Sequence, residues 1–132
     1  MLAFSKTDLF AAHCGCELLD AGDGRAKARM VLVKEHLNGA GVVHGGAIFT
    51  LADFAFAMAS NSHGTLALAI NVSVSFMKAI KTGELTAEVE EISRNPKLAT
   101  YAMRVTDESG DLIASLQGTV YRKKDRLPEG QA

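Results

Sequence analysis

The chain has 132 residues, a length that fits one domain with a sizeable core. Apolar residues make up 48% of it, charged residues make up 22%, and the formal net charge at pH 7 is −1, as in ordinary globular proteins. Because no basic stripe runs along the sequence, this balance argues against nucleic acid as the main partner.

The segment Ser5–His13 has apolar residues at helical spacing and predicts a short N-terminal helix. Ser5, followed three residues later by Asp8, is typical of a helix N-cap, and Gly15 is expected to end the helix. His13-Cys14-Gly15-Cys16 is a cluster of metal-ligand types, but without a second pair it falls short of a usual zinc site. We therefore interpret both cysteines as reduced structural thiols and predict no metal.

Two strands and a loop follow. Cys16–Ala21 and Arg25–Val33 are predicted to form a β-hairpin, whose turn is marked by Asp23-Gly24. In the second strand apolar residues alternate with Arg and Lys, so one face is expected to lie in solvent. The loop Lys34–Val43 contains Asn38, which is either a turn residue or a polar group that reaches a functional site.

The central element is a predicted helix from His44 to about Ser62, built almost entirely of apolar helix formers. Between His36 and Met77, Asp53 is the one residue with a formal charge at pH 7. An unpaired carboxylate is expensive to bury, so such a group finds donors, has a raised pKa or lies at a wet cleft. Because an apolar helix gains no stability from it, function explains Asp53 better than a solvated or purely structural role does.

The glycine pair Gly45-Gly46 lies at the start of this helix. It could serve only for backbone freedom at a tight turn into the helix. In the functional interpretation, the first-turn N–H groups point outward with the positive end of the helix dipole. A substrate carbonyl oxygen that gains negative charge could then approach them closely.

The spacing of Gly46 and Asp53 gives a sharper prediction. Seven residues place the two on one face of the helix but about 10 Å apart along its axis. One reacting carbonyl cannot be within about 3 Å of the carboxylate while its oxygen is bound by the amide of the same helix. If both act on one carbonyl, they come from two copies, which predicts an obligate dimer with the site at the subunit interface.

Four further strands are predicted after Gly64, over Leu66–Lys78, Glu84–Arg94, Leu98–Asp107 and Leu112–Lys123. A helix that is apolar all round has to be wrapped, so we expect an α+β fold in which a curved antiparallel sheet surrounds it. Residues 1–126 are expected to form this single domain, and residues 127–132 a flexible tail. The basic cluster Arg122–Arg126 is either a solvated strand end or a surface for the phosphates of a nucleotide-like cofactor.

The N-terminus predicts no secretion signal, because Met1–Phe10 lacks a basic start and a continuous apolar core. The apolar helix is too short for a membrane span and carries Asp53 at its centre. We therefore expect a cytoplasmic protein with no membrane partner.

Five short motifs lie between residues 37 and 64: Leu37-Asn38-Gly39, His44-Gly45-Gly46, Phe49-Thr50-Leu51-Ala52-Asp53, Ala55-Phe56-Ala57 and Asn61-Ser62. Together they resemble the hotdog-fold acyl-CoA thioesterases, and within them the phenylacetic-acid-degradation type. The glycine pair alone is a weak signal. It becomes specific with an Asp seven residues after the second glycine and an Asn eight residues before it.

The resemblance implies hydrolysis of an acyl-CoA, aromatic such as phenylacetyl-CoA or medium-chain, with CoA as part of the substrate and no separate cofactor. Asp53 would act as general base on water or as nucleophile, and the Gly46 N–H of the other subunit would polarise the thioester carbonyl. Asn38 would help to hold the attacking water, and His44 would orient the loop or touch the thioester. The resemblance also implies a homodimer with one continuous sheet, paired into a homotetramer.

One position departs from the family pattern. Related enzymes place a Ser or Thr near the start of the strand after the helix, where this chain has Ala67–Ile70. The residues expected to substitute for it are Asn71, Ser73 and Thr65. Gly45 and Thr50 are expected to contact the substrate as well.

Two other functions compete with hydrolysis. A non-catalytic acyl-CoA-binding or sensing module could use the same fold, although pure binding does not need the carboxylate of Asp53. A hotdog dehydratase would require a His base with a second acid, whereas His44 lies in the glycine turn.

Overall fold

The computed structural model describes residues 1–127. Within them the chain forms three α-helices and six β-strands: α1 (Leu2–Ser5), α2 (Leu9–His13), β1 (Cys16–Gly22), β2 (Arg25–Val31), α3 (Gly45–Asn61), β3 (Thr65–Phe76), β4 (Glu84–Arg94), β5 (Leu98–Thr106) and β6 (Leu112–Arg126). The strands form one antiparallel sheet in the order β1-β2-β4-β5-β6-β3. The predicted α+β architecture is confirmed. No helix in this range is both long and apolar enough to cross a bilayer.

The β1–β2 hairpin forms where the sequence predicts it. Asp23 and Gly24 both have positive φ, 52° and 76°, the conformation that a two-residue type I′ turn requires. Gly22 pairs with Arg25 across this turn. Short-range turn chemistry alone is therefore enough to set the hairpin.

The N-terminal segment differs from the prediction, because it forms two short helices instead of one. Ser5 ends α1, and its hydroxyl donates a 2.6 Å hydrogen bond to the Leu2 carbonyl oxygen. Asp8 is the N-cap of α2 and accepts the Ala11 N–H at 3.0 Å. The prediction that Ser5 caps the helix was wrong, because a hydroxyl bonded back to its own turn cannot cap the next one. Gly15, with φ of +86°, ends α2 as predicted.

Helix α3 lies against the inner face of the sheet and contacts all six strands. Small residues at the centre of that face, such as Ala28, Ala87 and Gly118, let the helix approach the strands closely. The ring of Phe56 meets that of Tyr101 edge to face, with centroids 5.6 Å apart. The core of the protein is this helix–sheet contact.

One stripe of α3 is left open by the sheet. Most of the helix is buried, but residues that share one face are half-buried or exposed: Gly46, Ala47, Phe49, Thr50, Asp53 and Ala57. The sequence predicts a helix wrapped all round, whereas the single chain covers it on all sides but this one. Asp53 lies on the uncovered side.

The last described residue, Leu127, is buried, and its N–H donates to the Gly64 carbonyl oxygen at 3.0 Å. Packed structure thus continues to the first residue of the predicted tail. The rest of that tail, residues 128–132, lies outside the described residues.

Gly118 provides a test of the close helix–sheet packing. A Cβ added there would lie 2.7 Å from both the Met103 Cε and the Phe56 Cζ atoms. We expect Gly118→Ala to lower the free energy of unfolding in urea by about 1–3 kcal/mol, as overpacked cores do. Gly22→Ala is the matched control, because a Cβ at Gly22 meets no atom within 4 Å. Equal unfolding midpoints for the two variants would contradict this account of the core.

Candidate active site

Asp53 is a half-buried carboxylate on the open stripe of α3. Its side chain makes no hydrogen bond or ion pair with any residue from 1 to 127. Burial raises the pKa of Asp53 above its ordinary value, and the negative charge of Asp8 raises it further. A carboxylate with a raised pKa and no internal partner is a suitable proton acceptor at an open surface.

Asp8 contributes to the raised pKa of Asp53, and the sequence does not reveal this contribution. In sequence it is recognisable only as a capping residue, far from Asp53. The fold brings α2 near α3, so that the Asp8 carboxylate caps α2 and also acts electrostatically on Asp53. No local sequence pattern indicates that Asp8 and Asp53 interact.

His44 is the N-cap of α3, and its Nδ1 accepts the Gly46 N–H at 2.7 Å. The expectation that this amide is free was therefore wrong for the single chain. The cause is local, because the ring lies directly over the helix start, 2.9 Å from where a Gly46 Cβ would be. An accepting Nδ1 places the proton of a neutral ring on Nε2, which lies on an exposed side chain.

Gly45 and Thr50 lie next to this cap but do different things. A Cβ on Gly45 would be 3.0 Å from the Cζ atom of Phe76, whose exposed ring lies close to the helix start. The Thr50 hydroxyl donates to the Gly46 carbonyl oxygen at 2.7 Å. Gly45 thus faces the ring of Phe76, whereas Thr50 lies on the open stripe.

Asn38 acts as a turn residue in this structure. Its Oδ1 accepts the Ala40 and Val42 N–H groups at 2.9 and 3.2 Å, and its own N–H donates to the Val42 carbonyl oxygen at 2.7 Å. Its Nδ2 group donates no hydrogen bond within residues 1–127. The turn holds the side-chain amide in place and leaves that donor available.

Asn71 and Ser73 are not brought together with Asp53 of the same chain. They pair with Thr119 and Gln117 on the outer face of the sheet, opposite to the helix. The physical reason is a register irregularity between Ala69 and Asn71, which switches the faces of the strand. Ala69 pairs with a buried valine of β6 and therefore faces the helix. Because one extra residue follows Ala69 in β3, Asn71 and Ser73 face the opposite side of the sheet.

His36 is a second residue that sequence reasoning missed. It is buried, its Nδ1 accepts the Val33 N–H at 3.0 Å, and its Nε2 donates to the Cys14 carbonyl oxygen at 2.7 Å. The His36 carbonyl oxygen accepts the His44 N–H at 2.7 Å. One buried imidazole therefore fastens the end of α2 to the loop that leads into α3.

The two cysteines are free thiols. Burial, followed by the nearby Cys14 and Asp8, raises the pKa of Cys16 to about 12, which keeps it protonated and unreactive at neutral pH. In the part of the chain that the structure describes, no three His, Cys, Asp or Glu side chains lie close enough to hold a metal.

Two cavities of similar volume differ in their lining. A groove of about 460 Å³ lies beside the start of α3 and is lined by Phe10, Cys14, Glu35, His36, Leu37, His44, Gly46, Ala47, Phe49 and Thr50. A second cavity, of about 430 Å³, is lined by Thr65, Arg94, Asn95, Pro96, Arg122, Lys123 and Lys124. The first is mostly apolar and the second is strongly basic.

Asp8→Asn tests the electrostatic link between α2 and Asp53. Asparagine caps a helix as well as aspartate does, so the fold is kept while the charge is removed. Because the Asp8 charge favours the protonated form of Asp53, its loss should lower the Asp53 pKa, measured by NMR titration of the Asp53 carboxyl carbon. Glu88→Gln, on the exposed outer face of β4, is the control and should leave that titration unchanged. An unmoved Asp53 titration in Asp8→Asn would refute the link.

Comparison with known proteins identifies the family of this chain. The family model described as the thioesterase superfamily matches residues 40–114. The protein named "Putative esterase" in Archaeoglobus fulgidus is 51% identical to this chain, over 93% of this chain and 80% of its own length. Acyl-coenzyme A thioesterase PaaI of Escherichia coli is 29% identical, over 91% of this chain and 86% of its own.

Solved structures give the same answer for the fold. The PaaI protein from the phenylacetic acid degradation operon of E. coli superposes with a TM-score of 0.91 at 27% identity, covering 96% of this chain and 92% of that one. A curved six-stranded sheet around one long helix is thus the hotdog fold in this protein too. With a family model matched over more than half its length, the chain belongs to the thioesterase superfamily of hydrolases.

Proposed function

We propose that this protein hydrolyses acyl-CoA thioesters to a free acid and CoA, with an aromatic acyl group such as phenylacetyl or a medium-chain one. The observation that carries the proposal is Asp53, a half-buried carboxylate without an internal partner and with a raised pKa, on the uncovered stripe of an otherwise apolar helix. The similarity to an acyl-CoA thioesterase of E. coli supports the substrate class.

The proposed chemistry needs few groups, because a thioester is already activated. The Asp53 carboxylate takes a proton from water while the water oxygen attacks the carbonyl carbon. The carbonyl oxygen becomes negative and is stabilised by an N–H donor. As the tetrahedral species collapses, the C–S bond breaks and the sulfur leaves with the proton from Asp53. In the alternative route Asp53 attacks the carbon itself, and labelled water distinguishes the two routes by whether label first enters Asp53.

The proposed oxyanion donor is the Gly46 N–H, which His44 occupies in the free chain. For the carbonyl oxygen to bind there, it has to displace Nδ1, and the exposed ring of His44 has room to turn aside. The displaced His44 then has an Nε2–H donor that can contact the thioester. Asn38, whose Oδ1 is fixed by the loop, offers its Nδ2 donor to the attacking water.

Two copies are required for this arrangement. The separation of Gly46 and Asp53 along α3 excludes their joint action on one carbonyl within a chain. We therefore propose a homodimer as the smallest active unit, in which Gly46 of one copy faces Asp53 of the other. A homotetramer built from two such dimers stays a prediction.

The sheet edges support dimerisation through β3. This edge strand is 12 residues long and contains no charged residue and no proline, although exposed edges are normally protected by such residues. The opposite edge, β1, is shorter, with seven residues, and carries the charged residues Glu17 and Asp20. One edge is thus protected against pairing, and the other is suited to pair with a second copy.

Asp53→Asn tests the catalytic role. We expect thioesterase activity to fall by about 100-fold or more, as loss of a general base does, while the protein stays folded and dimeric. A thiol-release assay over a panel of acyl-CoAs measures the loss. Retention of more than about 5% of the wild-type rate would rule out either role of Asp53 in the reaction.

The same variant has a predicted effect on stability. Because the folded-state pKa of Asp53 is raised, its ionisation costs stability as pH rises above the ordinary Asp value of 3.8. Asp53→Asn should therefore unfold at a higher urea concentration than wild type at pH 7, and the difference should shrink as pH falls towards that value. A difference between the two urea midpoints that grows at low pH would contradict this prediction.

A subunit-mixing experiment tests the shared site. Asp53→Asn and Gly46→Pro are expected to be inactive separately, since proline removes the amide donor. Proline is tolerated in a first helical turn once the exposed His44 ring, 2.9 Å from a Gly46 Cβ, turns aside. After joint unfolding and refolding, half of the dimers are mixed, and each mixed dimer has one intact site out of two. We expect recovery of about a quarter of wild-type activity. Recovery would be absent if both groups act within one chain.

A further inference from the structure

The groove beside the start of α3 has features that the hydrolytic machinery does not explain. Its volume, about 460 Å³, falls in the range of small-molecule pockets. It reaches from the Gly46 amide to the N-terminal helix α2, between the apolar side chains of Leu37, Phe49 and Phe10. A molecule whose reacting end lies at Gly46 therefore has an apolar recess next to it.

Phe10 is the unusual member of this lining. Its side chain is 66% exposed, on a helix of only five residues, so burial in the core does not explain the aromatic ring. Its significance lies in its place, because with Leu37 and Phe49 it gives the groove a continuous apolar lining, as ligand-binding grooves have. The neighbouring Leu9, 78% exposed, does not line the groove.

The position of Phe10 is well fixed. Asp8 caps the start of α2, Ala11 is buried in the core, and the carbonyl oxygen of Cys14 accepts a hydrogen bond from His36. His36 also accepts the backbone N–H of His44 at its carbonyl oxygen. The helix that carries Phe10 and the loop that carries His44 are thus held to each other through one buried side chain.

The charges around the groove distinguish the two ends of an acyl-CoA. The lining contains no Lys or Arg, and its one carboxylate, Glu35, disfavours phosphates. The nucleotide end of CoA is strongly anionic, and the cations that would suit it line the separate basic cavity around Arg94 and Arg122. The groove therefore matches the uncharged end of the substrate.

We propose that this groove receives the acyl group of the thioester and that Phe10 determines the preference for aromatic and medium-chain acyl groups. The proposal rests on the proposed function. The ring of Phe10 closes the recess on the side of α2, so that a phenyl or hexyl group is sandwiched between it and Phe49, whereas an acetyl group is too short to touch it.

The test compares Phe10→Ala with Leu9→Ala on phenylacetyl-CoA, hexanoyl-CoA and acetyl-CoA. We expect Phe10→Ala to lower kcat/KM about 10-fold or more for the two larger substrates and less than about 2-fold for acetyl-CoA, since truncating a pocket wall costs affinity for the group that fills it. Leu9→Ala, an equally exposed apolar truncation on the same helix, should leave all three values unchanged.

The outcomes separate this proposal from the one it rests on. If wild type releases thiol from none of the three substrates, the proposed function fails. If wild type is active and Phe10→Ala behaves like Leu9→Ala, or loses activity equally on all three substrates, the assignment of Phe10 is overturned while the hydrolase stands. Circular dichroism and urea midpoints equal to wild type are expected for both variants, because neither side chain is in the core.

Discussion

The incomplete cover of α3 is the constraint on which the rest of this structure depends. An apolar helix of 17 residues needs contact on all sides, and one sheet of six strands wraps it everywhere except along the stripe from Gly46 to Ala57. That stripe contains the carboxylate of Asp53, which is partly desolvated without a partner. In the proposed dimer, the second copy would cover the exposed apolar part of the stripe. It would also bring its Gly46 amide opposite Asp53, so that the two groups can act on one substrate.

Local chemistry explains which parts of the fold the sequence could predict. The Asp23-Gly24 turn, both ends of β4 and the extent of α3 follow from residue types within a few positions, and the predicted elements after Gly15 agree with the structure to within a few residues. The spacing of Ser5 and Asp8 predicted Ser5 as the N-cap, whereas Asp8 caps α2, because the Ser5 hydroxyl is bonded within α1. The nearness of Asp8 to Asp53 arises only when α2 packs beside α3, so no pattern in the chain contains it.

Asn71 and Ser73 illustrate a different limit. Residues at even spacing along a strand share a face, so a polar group two residues after Ala69 is expected to point the same way. The irregularity between Ala69 and Asn71 breaks this rule and turns both side chains to the outer face. The alternation with Val72 and Val74, which pack against the core, was already present in the sequence and indicated this orientation.

Helix α2 links the electrostatics of the site to its proposed selectivity. The five-residue helix α2 carries Phe10, which lines the groove beside Gly46, and is capped by Asp8, whose charge raises the pKa of Asp53. His36 fastens the end of that helix to the loop before α3, so α2 cannot shift without moving His44 and its bond to the Gly46 amide. The two side chains nevertheless act on different properties, because Asp8 acts through its charge on Asp53 and Phe10 through its contact with the acyl group. Removal of the Asp8 charge is therefore expected to change the basicity of Asp53 for every substrate, whereas truncation of Phe10 changes the preference among acyl groups.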